Sequence, residues 1–522
     1  MKNTTSVPLT NNGKVKVMTK NGKGLRYGTS ILALVLVAGC SITPQPFTSA
    51  ELEMFAADKE RRIVAEDQTP VTHDIDLYEA MARALKYNLD YRVEIADVAL
   101  RNAEVRNAEL DMLPDLVAKV DWSDRNNDPF SRSIDENGVI DSTASTSSDP
   151  GTESGSLELS WDILDFGLSY YRAKQAGDGF LIAQEQQRST INRVIEDVRT
   201  AYWRAVAAER LLGQISQLEN RAQAALNVAK RQVSQGEGDR LEALRFQREM
   251  LDTLRTAQEL RRDLFVAKNQ LAALMNLPQD QDFSVVVPHR ANIRTPITAL
   301  SSDEMTRMAL RNRPEMREVA YRLRINEEEE NASVLSLLPS IRGYLGVNYD
   351  SNDFLVNQNW TGWGARVSWD LMNLATHPRR KASIVRQSDL LDARALALTQ
   401  AISTQVYVAN KRFHNLQFEV STARQYQATS DRIFSQARSE FQSGVGSQRE
   451  YVRENLQAIL ASLRFDATYA EMQGAFANVY AAVGLNAYDG NLTGQETVDE
   501  IAQALRKMWL ERGENHYSPD RT

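Results

Sequence analysis

Leu157–Leu164 reads LELSWDIL. Leu157, Leu159, Trp161 and Ile163 alternate with Glu158, Ser160 and Asp162. That is the period-two pattern of a strand with one apolar and one polar face. A second copy, ARVSWDLM, occupies Ala365–Met372, so Ser160, Trp161 and Asp162 recur as Ser368, Trp369 and Asp370. Such a strand can cover a soluble core, or it can turn its apolar face to lipid and its polar face to water.

The strand belongs to a longer internal repeat. Ala84–Arg92, ALKYNLDYR, matches Ala309–Arg317, ALRNRPEMR, at an offset of 225, and Leu113 and Pro114 match Leu338 and Pro339 at the same offset. From Trp161 and Trp369 onward the offset is 208; it relates Gly236 to Gly444 and Leu277 to Leu485. The 17-residue change falls between the two strands of each half, so the first half carries the longer loop there, the Ser-, Asp- and Thr-rich Asn126–Gly155. Two halves of about 200 residues are too long for solenoid repeats and read as one duplicated unit.

Each half runs helix, strand, loop, strand, very long helix, glycine turn, long helix. Pro114 and Pro339 end the first helix, because proline disfavours α geometry in the residue before it. The next strand alternates Leu116, Ala118, Val120 and Trp122 with Val117, Lys119 and Asp121; its counterpart alternates Ile341, Gly343, Leu345, Val347 and Tyr349 with Arg342, Tyr344, Gly346 and Asn348. The spacing predicts long helices over about Leu168–Ser234 and Pro378–Ser443, with Pro378 in a first turn. At 1.5 Å per residue each is roughly 100 Å long, more than a globular domain's diameter. Glycines then reverse the chain at Gly236 and Gly238, and again at Gly444 and Gly446. The divisions that follow are 1–39 leader, 40–73 tether with a short helix around Glu51–Ala65, 74–278 first repeat, 279–301 linker, 302–485 second repeat and 486–522 tail, where Ile501, Leu505 and Trp509 share one side of a helix.

The leader carries Lys2, Lys14, Lys16, Lys20, Lys23 and Arg26 with no acidic residue, then the apolar Ile31–Val37, then Ala38, Gly39 and Cys40. A basic region, a short apolar run and small residues make a secretory signal, with Met18 an alternative start. Without those six charges, 55 basic residues face 69 acidic ones, a net of −14. That balance argues against a nucleic-acid partner. Cys40 is the only cysteine, so no disulfide forms within the chain. Val37–Cys40 resembles a bacterial lipobox, which implies acylation of the Cys40 thiol and cleavage just before it. Ser41 at the next position implies sorting to the outer membrane.

Catalytic patterns are missing. His73, His289, His377, His414 and His516 are scattered, and no HExxH, P-loop or GxSxG occurs. Glu327–Glu330 wraps several helix faces and reads as solvated surface. The expectation is no enzyme, no cofactor and no metal.

Two strand pairs and two long helical hairpins, duplicated behind a signal, resemble the outer-membrane efflux family of TolC-like channels, over about Ile75–Leu485. The fold class implied is mainly α with membrane β: a duplicated protomer forming a trimeric 12-stranded outer-membrane β-barrel plus a periplasmic α-helical tunnel. The strand count agrees independently, since four strands cannot close a barrel and bacterial barrels have at least about eight. Trp122, Leu157, Leu159, Trp161, Ile163, Leu345, Tyr349, Trp363 and Trp369 are expected on the lipid face, with Lys119, Asp121, Glu158, Asp162, Arg342, Arg366 and Asp370 toward water. By resemblance the turns form a periplasmic tip that gates the pore and meets a membrane-fusion adaptor: Gly236, Gly238, Phe441, Gly444, Gly446, Glu450 and Arg453. Glu450 takes a family gate carboxylate's place and Phe441 a gate tyrosine's. Gly446 replaces a gate arginine and Arg453 an acidic residue, and Glu450 and Arg453 can instead pair within their helix. The partners implied are two further copies, an adaptor, an inner-membrane pump of RND or ABC type, and outer-membrane lipid. The alternatives are the exit duct of a type I protein-secretion system and a lipid-anchored periplasmic coiled-coil scaffold.

Overall fold

Polar side chains at the chain's bends decide where its helices start. The computed structural model describes residues 46–64, 68–235, 240–278, 281–289, 293–298, 301–488 and 496–513. The leader, Cys40, Gly236 and Gly238 lie outside the described residues. The chain divides into two units at residues 67 and 68. In the first, helix α1 (Ser49–Val64) is entered at Thr48, whose hydroxyl accepts from the Glu51 amide at 3.3 Å while the Glu51 carboxylate accepts from the Thr48 amide at 2.8 Å.

The second unit holds everything else. Its first repeat comprises α2 (Leu77–Tyr87), α3 (Leu89–Leu110), β1 (Asp115–Asp124), β2 (Gly151–Asp162), α4 (Ile163–Gln235) and α5 (Arg240–Leu274). The second comprises α6 (Ser302–Asn312), α7 (Pro314–Leu335), β3 (Ser340–Asp350), β4 (Asn359–Ser368), α8 (Leu371–Gln442) and α9 (Gln448–Val483). A tail helix, α10 (Val498–Glu511), follows.

The first helix of each repeat is two helices where the periodicity predicts one. At Asn88 the backbone N–H still reaches the Ala84 carbonyl, but the residue is extended and its side chain accepts from the Tyr91 amide at 3.0 Å, starting α3. Arg313 breaks the second repeat at the equivalent place, with Pro314 opening α7. The long helices also begin earlier than expected. Asp162 accepts from the amides of Leu164 and Asp165, at 2.9 and 3.3 Å, so α4 starts at the strand's end and Ile163 is its first residue, not a strand residue. Asp370 does the same for α8 through the Met372 amide at 3.0 Å. Pro378 consequently lies inside α8, beyond its first turn, where it leaves the Leu374 carbonyl without its helical donor. At 73 and 72 residues, α4 and α8 are each about 110 Å long.

Helix α4 packs on α3 and α7 near the sheet and on α5 and α9 further away, while α8 packs on α7 and then on α9. The result is a layer four helices wide along most of its length. One core lies midway, where Phe413, Phe465, Phe476 and Trp509 meet α4 and α2. A second, rich in alanine, runs toward the turns and ends on Tyr451 and Val452. The linker is structured over its described residues. Ile75 exchanges backbone hydrogen bonds with Ser284 and Val286, both 2.9 Å, and Phe283, Val285 and Ile293 are buried.

The four strands form one antiparallel sheet in the order β1-β2-β3-β4. Its centre is the β2–β3 pair, so the two repeats meet there, and β1 and β4 are open edges.

Candidate functional site

The register sorts the sheet into two faces, because directly opposed residues share a face. Leu116 pairs with Leu159, Leu159 with Leu345, and Leu345 with Trp363. The next rung is Ala118, Leu157, Val347 and Thr361. Trp122 and Tyr349 complete this face toward the loops, and Trp161 sits at its helix-side end. The opposite face carries Lys119, Asp121, Glu158, Asn348, Arg342 and Arg366. The apolar face is bare: Val120 is 86% exposed, Trp363 81% and Trp122 78%. A contiguous apolar face of that size needs a partner or a bilayer.

Two predicted lipid-face residues have other surroundings. Ile163 is in α4, and Trp369 lies just past β4. The SWD repeat has a structural task at this junction. The Trp161 indole N–H donates to the Met112 carbonyl at 3.3 Å, and that of Trp369 to the Leu337 carbonyl at 2.9 Å. These two carbonyls end the preceding short helices of their repeats. Each tryptophan therefore ties a strand end to the helix before it, while each aspartate caps the helix after it. Asp162 and Asp370 thus hold helix ends, where a water-lining role was expected. Asp162 also accepts from the Ser340 hydroxyl and lies 3.6 Å from Arg342.

The second candidate site is the turn between α8 and α9. Gly444 takes φ +79°, a left-handed conformation that favours glycine. The amides of Val445 and Gly446 both donate to the Glu440 carbonyl, at 3.0 and 2.9 Å. A Cβ on Gly446 would lie 2.9 Å from both Glu440 Cβ and the Phe441 amide nitrogen, so this glycine answers a close approach. Ser447 caps α9 by accepting from the Glu450 amide at 3.1 Å. Phe441 stacks on Tyr451 across the turn, ring centroids 5.0 Å apart and planes 8° from parallel, and Phe434 stacks on the same ring at 5.6 Å. Arg221 of α4 holds the Tyr451 hydroxyl, and Arg449 reaches Glu249 of α5 at 2.6 Å.

Glu450 pairs with Arg453 within α9, and Arg453 also reaches Glu454 at 3.3 Å. The Glu450 hydrogen bond raises the Arg453 guanidinium above its ordinary value. The predicted acidic position is therefore charge-compensated in its own helix. Sequence reasoning missed Tyr451 and Arg221; an aromatic residue on each side of the turn was the available signal.

The Glu327–Glu330 run is not plain solvated surface. Glu328 is buried and pairs with Lys174 of α4 at 2.8 Å, Glu329 accepts from Gln175 at 3.1 Å, and Glu330 pairs with Lys381 of α8 at 3.2 Å. These contacts clamp α7 between the two long helices. His73, His377 and His414 have separate partners, Glu79, Ser333 and Gln417. Among the described residues no group of three or more His, Cys, Asp or Glu is placed to hold a metal ion, and no helix is long and apolar enough to cross a membrane.

Residues 80–277 match the family model described as outer membrane efflux protein. No curated protein matches the chain in sequence. Among solved structures, a membrane protein from Pseudomonas aeruginosa superposes with TM-score 0.62 at 16% identity, covering 82% of this chain and 94% of that one. The Campylobacter jejuni CmeC outer membrane channel gives 0.61 at 13% identity, over 92% and 99%. The open state of the Neisseria gonorrhoeae MtrE outer membrane channel gives 0.60 at 16%, over 78% and 89%. At such identities the likeness is one of fold, and it spans both repeats. The match to the outer membrane efflux protein model thus lies within the first repeat, and the fold shared with these outer membrane channels extends over both.

Proposed function

We propose that three copies of this chain form an outer-membrane channel, the exit duct of a tripartite efflux system. The single observation that carries the reading is the sheet: four strands with an exposed apolar face, a polar face and two open edges. In lipid an open edge leaves backbone N–H and C=O groups without partners, so the sheet closes only with further copies. Three copies supply twelve strands. The apolar face then meets lipid, Trp122 and Trp161 lie toward its borders, and the polar face lines water. The helices continue the passage into the periplasm, and the Gly444–Ser447 turn forms its far end with its counterpart at Gly236 and Gly238. A periplasmic adaptor docks there and opens the passage, and an inner-membrane pump supplies the energy while solute moves through the duct passively.

Acyl groups on Cys40 anchor the mature chain, each buried CH₂ contributing about 0.8 kcal/mol. Labelled palmitate is expected to be taken up by the wild type and not by Cys40→Ser, and uptake by the variant overturns acylation at this site. The test of the channel itself is planar-bilayer conductance: purified protein that inserts and gives no conductance overturns the reading. Copurification of an RND pump favours efflux, and of an ABC pump with an exported protein, secretion.

A further inference from the structure

We propose the register of the seam at which two copies meet: β1 of one copy lies flush along β4 of the next, with Asp115 opposite Ser368, Ala118 opposite Ala365 and Asp124 opposite Asn359. The inference rests on the barrel reading above and fixes what that reading leaves open.

Three arguments select this register. The first is facing. A slip of one residue would turn one strand's apolar side chains to the other face, so only registers two residues apart are allowed. The second is length. Strands β1 and β4 have ten residues each. The flush register pairs all of them. A slip of two in either direction leaves two residues unpaired on each strand, inside or at the edge of the bilayer.

The third is tilt. Within one copy, Asp115, Ser160, Tyr344 and Gly364 form one rung across the sheet. In the flush register Gly364 meets Lys119 of the next copy, so one circuit of a copy climbs from Asp115 to Lys119. That is about 13 Å along the strand for about 19 Å across four strand spacings, a tilt of about 35°. Membrane barrels tilt by about 35–45°. With Gly364 opposite Val117 the tilt falls to about 19°, outside that range. With Gly364 opposite Asp121 it is about 46°, but Lys119 then directly faces Arg366, a like-charge pair that destabilises a sheet.

Side chains agree with the flush choice. On the lipid face Leu116 meets Val367, and Val120 meets Trp363, a β-branched side chain against an aromatic one. On the water face Arg366 lies opposite Val117 and diagonal to Asp115. Arg366 also stands directly opposite Arg342 of its own strand pair, whose guanidinium is already near Asp162 and Asp165, at 3.6 and 3.5 Å. Asp115 of the neighbouring copy balances that second arginine.

Disulfide trapping in outer membranes of cells expressing the full chain tests the register. Directly opposed strand residues have Cα atoms about 4.5–5.5 Å apart, inside the disulfide range. Ala118→Cys combined with Ala365→Cys is expected to give covalent dimers and trimers on non-reducing gels, about ten-fold more than either single variant. Ala118→Cys combined with Trp363→Cys or Val367→Cys is expected to stay at the single-variant level. Should the first pair fail to reach the membrane, Leu116→Cys with Val367→Cys occupies an opposed position in the same register. Trapping at Trp363→Cys or Val367→Cys in place of Ala365→Cys overturns the register and leaves the closed barrel standing. Trapping by none of the pairs in membrane-inserted protein overturns the β1–β4 seam and with it the barrel.

Discussion

Asp370 holds the free Met372 amide at the start of a 72-residue helix at the edge of the sheet, with its neighbour Trp369 tied to the end of the previous helix. Its replacement by Ala removes the cap, a change worth about 1 kcal/mol, whereas Asn keeps an accepting oxygen and restores most of it. The onset of thermal unfolding, followed by circular dichroism, is expected to fall for Asp370→Ala and to recover in Asp370→Asn. Glu196, in α4, carries a pH effect. Burial holds its carboxyl above the usual 4.5, against the hydrogen bond from Asn478 at 2.9 Å, and the neighbouring Asp197 adds to the rise. The neutral form is therefore the one the fold prefers. Its stabilising contribution is complete below pH 4.5 and is lost as pH rises through the higher folded-state value. Glu196→Gln, neutral at every pH, is expected to melt above the wild type at pH 7 and close to it at pH 4. Equal differences at both pH values would show that Glu196 is not the titrating group. At the turn, Phe441→Ala removes one side of the stack on Tyr451 and loosens the proposed tip. Single-channel recordings are expected to show a larger open fraction, and unchanged traces would place the constriction elsewhere.

Among the elements, the tail helix α10 lies outside both repeats and is fastened by residues of each. Trp509 is fully buried, with the Arg199 guanidinium 4.5 Å from its ring and Phe476 and Tyr480 alongside. Trp509→Ala opens a cavity in that cluster at a cost of about 3–5 kcal/mol. Its amides in Val498–Glu511 are expected to exchange hydrogen much faster than the wild type's, and unchanged protection would show that α10 is held by other contacts. This helix was legible in advance, since Ile501, Leu505 and Trp509 fall on one stripe and that stripe is what it buries. The α6/α7 break was half-legible, because Pro314 marks it. The α2/α3 break was not, since Leu85 and Leu89 continue the helical spacing and a single Asn88 serves as the end of one helix and the cap of the next. The α4 start was hidden for a related reason: Ile163 continues the strand's alternation, and only the hydrogen bonds of Asp162 end it. At the tip the Glu450–Arg453 pair could be read from its spacing along a helix, whereas the Phe441–Tyr451 stack depends on how the turn folds back. The glutamate run was opaque, because four identical residues do not say which neighbouring helix each will meet.

For the whole molecule the strand count bears on how many copies close the proposed barrel. Each copy brings four strands, so two copies would make eight and three would make twelve. An eight-stranded barrel has an interior just wide enough for its own side chains. The polar face here includes Tyr344, Trp360, Arg342, Arg366 and Lys119, and two copies of that set would fill such an interior and leave no passage for solute. Twelve strands widen the barrel roughly in proportion to strand number and leave a water-filled lumen. A conducting channel of this chain therefore needs at least three copies. Native mass spectrometry from detergent is expected to give three times the mass of the mature, acylated chain, and bilayers formed from the same preparation are expected to conduct. A dimeric mass together with conductance would contradict the interior-filling argument. A dimeric mass without conductance would leave the membrane sheet in place and remove the channel.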